Sequence, residues 1–183
     1  MPLYPLKFQP IYKAKVWGGR TLERLGRQLP EGESIGESWE LADLGRTSAS
    51  GGGGGAERSV ITNGSLAGQT IHDAMNRHGG DLMGHLPPND FGEFPLLVKF
   101  LDAADNLSVQ VHPSEQFALE NTDAYLKSEA WYIVEAEPGA VIYKGVKQGT
   151  TPEQFRAAIE NNTVEELIIP VPVKPGDVHY LPS

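Results

Sequence analysis

Short apolar runs of strand length make up most of the hydrophobic pattern of this chain. Residues 107–112 alternate leucine and valine with serine, glutamine and histidine, which predicts a strand with one apolar and one polar face. Residues 35–42, 94–101 and 131–134 are further runs rich in apolar residues, each about the length of one strand. The pattern therefore favours a fold dominated by β-sheet.

Helical signals are fewer, and a capping residue marks each of them. Thr70 is expected to cap a helix that ends near Gly79, and Thr151, which is followed by proline, is expected to open a second helix. Ser114 is expected to cap a short helix over residues 115–120. We expect these few helices to lie outside the sheets.

A glycine-rich segment, residues 47–56, interrupts this pattern. Its composition cannot bury apolar surface or select one conformation, which predicts a flexible loop within the domain. A phosphate-binding loop would need glycine, lysine and serine or threonine leading into an apolar helix, whereas Glu57 and Arg58 follow here. The segment is therefore not expected to bind phosphate.

Polar side chains at two predicted strands are candidate metal ligands. Gln110 and His112 are two residues apart, so their Cα atoms would lie about 6.6 Å apart on one face of a strand. Glu129 stands at the start of the next predicted strand. An amide oxygen, an imidazole and a carboxylate suit Zn²⁺, with Mn²⁺, Fe²⁺ and Co²⁺ as competitors. The alternative interpretation is that all three are ordinary polar residues, half-buried or at a solvated strand end.

Two charged residues fall within apolar patterns. Glu37 shares a predicted strand face with Ile35 and Trp39, where a carboxylate is costly unless it is paired or used. Lys99 interrupts a continuous apolar run. Its side chain either extends along the strand until the ammonium reaches water, or enters a pocket beside Ser108.

Five motifs, in order along the chain, resemble those of the type I phosphomannose isomerases, especially their short bacterial form. They are WGG at 17–19, GESWE at 36–40, FPLLVKFLDA at 94–103, QVHP at 110–113 and K-x-E-x-W-Y at 127–132. The resemblance implies an all-β dominated, cupin-like antiparallel barrel or jelly roll with a few peripheral helices. It also implies a zinc enzyme that interconverts mannose 6-phosphate and fructose 6-phosphate.

The resemblance further implies roles for individual residues of this chain. Its motifs make Gln110, His112 and Glu129 metal ligands, Lys127, Lys99 and Glu37 catalytic residues, and Trp17 and Ser108 substrate-binding residues. An ammonium group suits either the phosphate of the substrate or a proton transfer, so the roles of the two lysines stay open.

The resemblance also implies a second histidine ligand and a catalytic arginine that follow the predicted strand over residues 178–181. Neither is present in the 183 residues, and His179 is not expected to be that ligand. The chain is therefore expected to be the N-terminal part of a longer family chain, with an incomplete barrel, weakened metal binding and no turnover of its own. The alternative functions are a non-catalytic cupin-type module that binds a sugar phosphate or regulates, and an inactive fragment.

Composition and charge narrow the classes of function. The 183 residues, of which 39% are hydrophobic, are expected to form a single domain over residues 1–183. A formal charge of -9 without a run of lysine or arginine argues against nucleic acid and anionic membranes as partners and leaves a small-molecule sugar phosphate. The absence of cysteine excludes disulfides and thiolate ligands. The N-terminus has neither a signal-peptide core nor a spanning segment, which predicts a cytoplasmic location, and the oligomeric state stays open.

Overall fold

Antiparallel strands dominate the computed structural model, which describes residues 4–45, 56–89, 91–121, 124 and 126–183. The strands are β1 (Ile11–Gly19), β2 (Ile35–Leu41), β3 (Asp43–Leu44), β4 (Glu57–Arg58), β5 (Val98–Leu101), β6 (Glu129–Tyr132), β7 (Val141–Val146), β8 (Ile168–Pro172) and β9 (Val178–Leu181). The helices are α1 (Ile71–Met83), α2 (Glu115–Glu120) and α3 (Pro152–Glu160), with short 3₁₀ turns at Thr21–Leu25, Gly64–Leu66 and Val164–Glu166. All pairs between these strands are antiparallel, so the predicted all-β dominated class is confirmed.

The described residues pack into two compact units. The first comprises Met1–Val111 with Asn121–Tyr125, and the second comprises His112–Glu120 with Leu126–Ser183. The single domain over residues 1–183 stays a prediction. The predicted glycine-rich loop lies outside the described residues, except for Ala56 at its end.

A three-stranded sheet in the order β1-β2-β5 forms the centre of the first unit. The middle strand, β2, carries Ile35 and Trp39, which are almost fully buried. Ser38 points to the opposite face of the same strand and is fully buried as well. Both faces of β2 are therefore covered, which places Glu37 in the most enclosed strand of this unit.

Helix α1 of the first unit starts with the predicted cap. The Thr70 hydroxyl accepts a hydrogen bond from the backbone N–H of Asp73, and the Asp73 carboxylate accepts from the backbone and the hydroxyl of Thr70. The hydrogen bond from the Thr70 backbone is the main cause that lowers the pKa of Asp73. Because the folded pKa is lowered, this contribution to stability is present at neutral pH and is lost as the pH falls through the folded pKa.

The helical backbone of α1 breaks where the sequence predicts its end, and then resumes. His78 has non-helical angles, with a φ of -132°, and a second helical stretch continues to Met83. The predicted end near Gly79 is therefore present as a kink between two helical stretches. Glycine inside a helix costs only about 1 kcal/mol relative to alanine, so it does not by itself stop a helix. No helix in the described ranges combines the length and the apolar character needed to cross a membrane.

The second unit contains two small sheets, β6 paired with β9 and β7 paired with β8. The pattern around Gly139 predicts a hairpin between the consecutive strands β6 and β7, and this prediction is wrong because the two strands lie in different sheets. Helix α3 begins after Thr151 as predicted, with a capping box, and the Ser114 hydroxyl accepts from the Phe117 backbone at 3.2 Å at the start of α2. Local capping signals were therefore more informative than local pairing signals.

The predicted strand over residues 107–112 is also wrong. These residues have no regular secondary structure, and Val111 is 79% exposed. A strand needs a neighbour to satisfy its backbone hydrogen-bonding groups, and none of the described strands pairs with this segment. The predicted strand over residues 94–101 is shorter for the same reason, since only Val98–Leu101 pairs with β2.

Candidate functional site

His112, Lys127 and Glu129 form a polar cluster in the second unit. The Nε2 atom of His112 lies 3.4 Å from Oε2 of Glu129, and the Nζ atom of Lys127 lies 3.3 Å from Oε1 of the same carboxylate. The side chains of His112 and Glu129 are only 12% and 18% exposed. Glu129 owes its place to β6, where the register with β9 sets it opposite Leu181.

A hydrogen bond to the Pro182 carbonyl indicates which nitrogen of the His112 ring carries the hydrogen. Nδ1 of His112 lies 3.3 Å from the carbonyl oxygen of Pro182, and because a carbonyl oxygen only accepts, Nδ1 carries the hydrogen. In the neutral ring, Nε2 therefore directs its lone pair toward Glu129. Two electron-rich atoms at this separation attract each other only through a cation, either a proton on Nε2 or a metal ion.

This donor pair fits a zinc ion. Two ligand atoms at about 2.0–2.1 Å from a tetrahedral zinc ion lie about 3.4 Å apart, and the separation between His112 Nε2 and Glu129 Oε2 is 3.4 Å. A backbone carbonyl, here that of Pro182, is a common partner for the second nitrogen of a metal-binding histidine. The separation and the chemistry of the pair are thus compatible with two metal ligands, and the assignment of His112 and Glu129 as ligands stays a prediction.

Further ligands would have to be of another chemical type or lie outside the described ranges. Within the described residues, no three histidine, cysteine, aspartate or glutamate side chains come close enough together to hold a metal ion. The amide of Gln110 is the predicted third ligand. Gln110 and Ser108 are exposed and belong to the first unit, so their parts in the site stay predictions.

Glu37, Lys99 and Lys15 form a second polar cluster, in the first unit. Lys99 Nζ lies 3.4 Å from Oε2 of Glu37, and Lys15 Nζ lies 3.9 Å from Oε1. The indole nitrogen of Trp39 donates a hydrogen bond of 2.6 Å to Oε2. The Glu37 side chain is 12% exposed, so this largely buried charge is paired, as its place in an apolar strand required.

Glycines allow the first strand to approach the middle strand of this sheet. A Cβ atom on Gly18 would lie 2.4 Å from the backbone nitrogen of Gly36, and a Cβ atom on Gly36 would lie 2.6 Å from the ring of Trp17. The WGG and GESWE motifs are therefore in contact. The glycines allow these two strands to lie close together. The substrate-binding role of Trp17 stays a prediction.

The sequence pattern did not identify Lys15 or the indole of Trp39 as partners of Glu37, or Lys13 as the cation above that indole. Lys13 and Lys15 lie on β1, a strand that the sequence analysis does not predict. Their alternation with Tyr12 and Ala14 was the available signal. Trp39 was identified only as an apolar neighbour of Glu37, because an indole N–H that binds a carboxylate leaves no trace in a hydrophobic pattern.

The described strands form antiparallel sheets, and the separation of the donor pair of His112 and Glu129 fits a metal ion. Residues 5–137 match the family model for the catalytic domain of type I phosphomannose isomerase. The chain belongs to this family, whose members are metal-dependent isomerases.

Two mannose-6-phosphate isomerases match nearly the whole length of this chain. Mannose-6-phosphate isomerase ManA of Bacillus subtilis strain 168 is 38% identical over 184 residues, which are 100% of this chain and 53% of that protein. Mannose-6-phosphate isomerase of Streptococcus mutans is 36% identical over 180 residues, 98% of this chain and 52% of that protein. This chain thus spans about half the length of these curated relatives.

A solved structure gives the same picture of the fold. The crystal structure of mannose 6-phosphate isomerase from Bacillus subtilis superposes with a TM-score of 0.77 at 31% identity, over 98% of this chain and 52% of that chain. The cupin-like fold implied by the motifs is thereby confirmed.

Proposed function

We propose that the protein interconverts mannose 6-phosphate and fructose 6-phosphate with the help of a divalent metal ion, and that this ion is zinc. Membership of the type I phosphomannose isomerase family supports the reaction. The observation that carries the proposal is the donor pair of His112 and Glu129, with the Lys127 ammonium on the second oxygen of the same carboxylate.

His112 and Glu129 would hold the metal, and Gln110 would be the third ligand, as the resemblance implies. When bound, a divalent ion stabilises the negative charge that develops on the sugar oxygens and orients the sugar hydroxyls. The hydrogen bond from His112 to Pro182 keeps the ring turned so that Nε2 stays on the side of Glu129.

The charged side chains would move the proton and attract the phosphate. Isomerisation transfers a proton between two adjacent carbons of the sugar through an enediol, which needs a group that removes the proton and returns it. Glu37 and the ammonium groups of Lys99 and Lys127 are the proposed catalytic residues, and an ammonium also attracts a phosphate dianion. Trp17 and Ser108 would contact the sugar phosphate.

A coupled assay of fructose 6-phosphate formation tests the proposed function. The complete product of the gene is incubated with mannose 6-phosphate and zinc, and we expect turnover that a chelator abolishes. Binding of mannose 6-phosphate without turnover would instead support a non-catalytic sugar-phosphate module. Neither binding nor turnover would contradict both functions.

Replacing His112 with alanine is expected to remove most of the bound metal. The variant loses one ligand of the proposed pair, and the loss of a ligand from a site with few protein ligands weakens it strongly. Elemental analysis of protein purified without chelator measures the ratio of metal to chain. His85→Ala is the matched control, because His85 is exposed and outside both clusters. Full metal occupancy in His112→Ala would show that the ligand assignment is wrong.

A further inference from the structure

The indole of Trp39 lies between two charged groups, the ammonium of Lys13 and the carboxylate of Glu37. Trp39 is 2% exposed, and its Nε1 donates a 2.6 Å hydrogen bond to Glu37 Oε2. The ammonium of Lys13 lies over the ring of Trp39, 4.7 Å from its centroid, and is itself paired with Glu57 at 2.5 Å. A cation above an indole withdraws electron density from the ring, which strengthens the N–H as a donor.

The sheet holds this indole in one place. Trp39 and Glu37 are two residues apart on β2, so their side chains leave the same face of the strand. Trp39 is flanked by Ile11 on β1 and by Lys99 on β5. A large, fully buried side chain between two partner strands has little freedom to move, so the position of its N–H is determined by the fold.

The hydrogen bond makes the two oxygens of Glu37 unequal. Oε2 receives the indole N–H at 2.6 Å and faces Lys99 Nζ at 3.4 Å. Oε1 accepts no hydrogen bond from the described part of the chain, and Lys15 Nζ lies 3.9 Å from it. One oxygen is therefore anchored, and the other is available to a substrate.

We propose that Trp39 is a positioning residue that anchors one oxygen of the Glu37 carboxylate and leaves the other oxygen to exchange a proton with the sugar. This inference rests on the proposed isomerase function. It adds a residue that does not touch the substrate but determines the orientation of one that does. The alternative role for Trp39 is core packing alone, which would place no demand on its N–H.

The substitution Trp39→Phe separates these two roles, because phenylalanine keeps most of the buried aromatic ring and loses the donor. In the complete gene product with zinc, we expect kcat to fall about 10- to 100-fold with little change in KM, since misplacing a reacting group costs rate more than binding. In a double-mutant cycle with Glu37→Gln, Trp39→Phe should cause no further loss, because Trp39 acts through Glu37. A packing role alone predicts losses that multiply.

A spectroscopic measurement covers the case in which Trp39→Phe does not fold. In protein with ¹⁵N-labelled tryptophan, the indole proton resonance of Trp39 should move upfield in Glu37→Gln, because the charge that strengthens the hydrogen bond is lost. The resonance of Trp131, on the second unit, is the internal reference.

Each outcome has a distinct consequence. The positioning role would be overturned if the Trp39 resonance did not move in Glu37→Gln, or if Trp39→Phe were as active as an active unmodified protein. Either result would leave the proposed function intact. Inactivity of the unmodified protein would overturn the proposed function and, with it, the catalytic meaning of the hydrogen bond.

Discussion

Asp43→Ala is expected to lower the free energy of unfolding by about 3–5 kcal/mol, because it removes the buried carboxylate at the centre of a charge cluster. The Asp43 side chain is 0% exposed, and its Oδ1 lies 3.3 Å from Arg58 Nε and 3.2 Å from His72 Nδ1. The backbone N–H of Phe94 donates to Oδ2 at 2.9 Å. Alanine would leave a guanidinium, an imidazole and a backbone donor without their common acceptor.

The groups around Asp43 can compensate in part for the loss of its carboxylate. Arg58 keeps a contact with Glu93, 3.8 Å from its Oε1, and Arg58 is partly open to water, so its charge is not stranded. Oδ1 of Asp43 is at ion-pair distance from Arg58 and His72 without the geometry of a hydrogen bond, so its interaction is mainly electrostatic. The loss should therefore lie near the lower end of the expected range.

Denaturant unfolding measures this effect, and Asp81→Ala is the matched control. Asp81 is an exposed helical aspartate, so its replacement should change the unfolding free energy by less than about 0.5 kcal/mol. The midpoint for Asp43→Ala should shift to much lower denaturant at an unchanged slope. Equal midpoints for the two variants would show that the cluster around Asp43 contributes little to stability.

Lys127→Met is expected to lower kcat/KM by about 10²-fold or more while the metal content stays close to that of the unmodified protein. The ammonium of Lys127 lies 3.3 Å from Glu129 Oε1, whereas the proposed metal-binding side of Glu129 is Oε2, which faces His112. Methionine keeps the length of the side chain and removes its charge, and the loss of one preorganised charge at a transition state commonly costs this much.

Turnover and elemental analysis on the same samples decide this prediction. Glu129→Gln should lose metal and activity together, in contrast to Lys127→Met. Lys147→Met is the control for the removal of an exposed ammonium, and its activity should be unchanged. If Lys127→Met lost its metal as well, Lys127 would support the metal site rather than the reaction.

The sequence predicted the elements whose signals are local. The caps at Thr70 and Thr151 and the strand that carries Glu37 are present where the pattern placed them. The need of Glu37 for a partner also followed from its apolar surroundings, since an unpaired carboxylate in a buried strand is costly. Lys99 on β5 supplies that partner.

The sequence pattern did not predict which distant segments pair as strands. β6 pairs with β9, which begins at Val178, rather than with the nearer β7, and the alternating run that contains Gln110 has no partner among the described strands. Whether an apolar run becomes a strand depends on a neighbour, and one sequence does not reveal the neighbour. The contact between Asp43 and His72 was not predicted either, because the two residues lie on separate elements.

Isomerisation is proposed to depend on a metal ion held by His112 and Glu129, and a zinc titration of the metal-stripped gene product tests this dependence most directly. Turnover of mannose 6-phosphate is measured as zinc is added, with bound zinc determined in the same samples. We expect no turnover in the stripped protein and a rise in turnover that ends at about one zinc per chain. Full turnover in the stripped protein, or zinc binding to this level without any turnover, would contradict it.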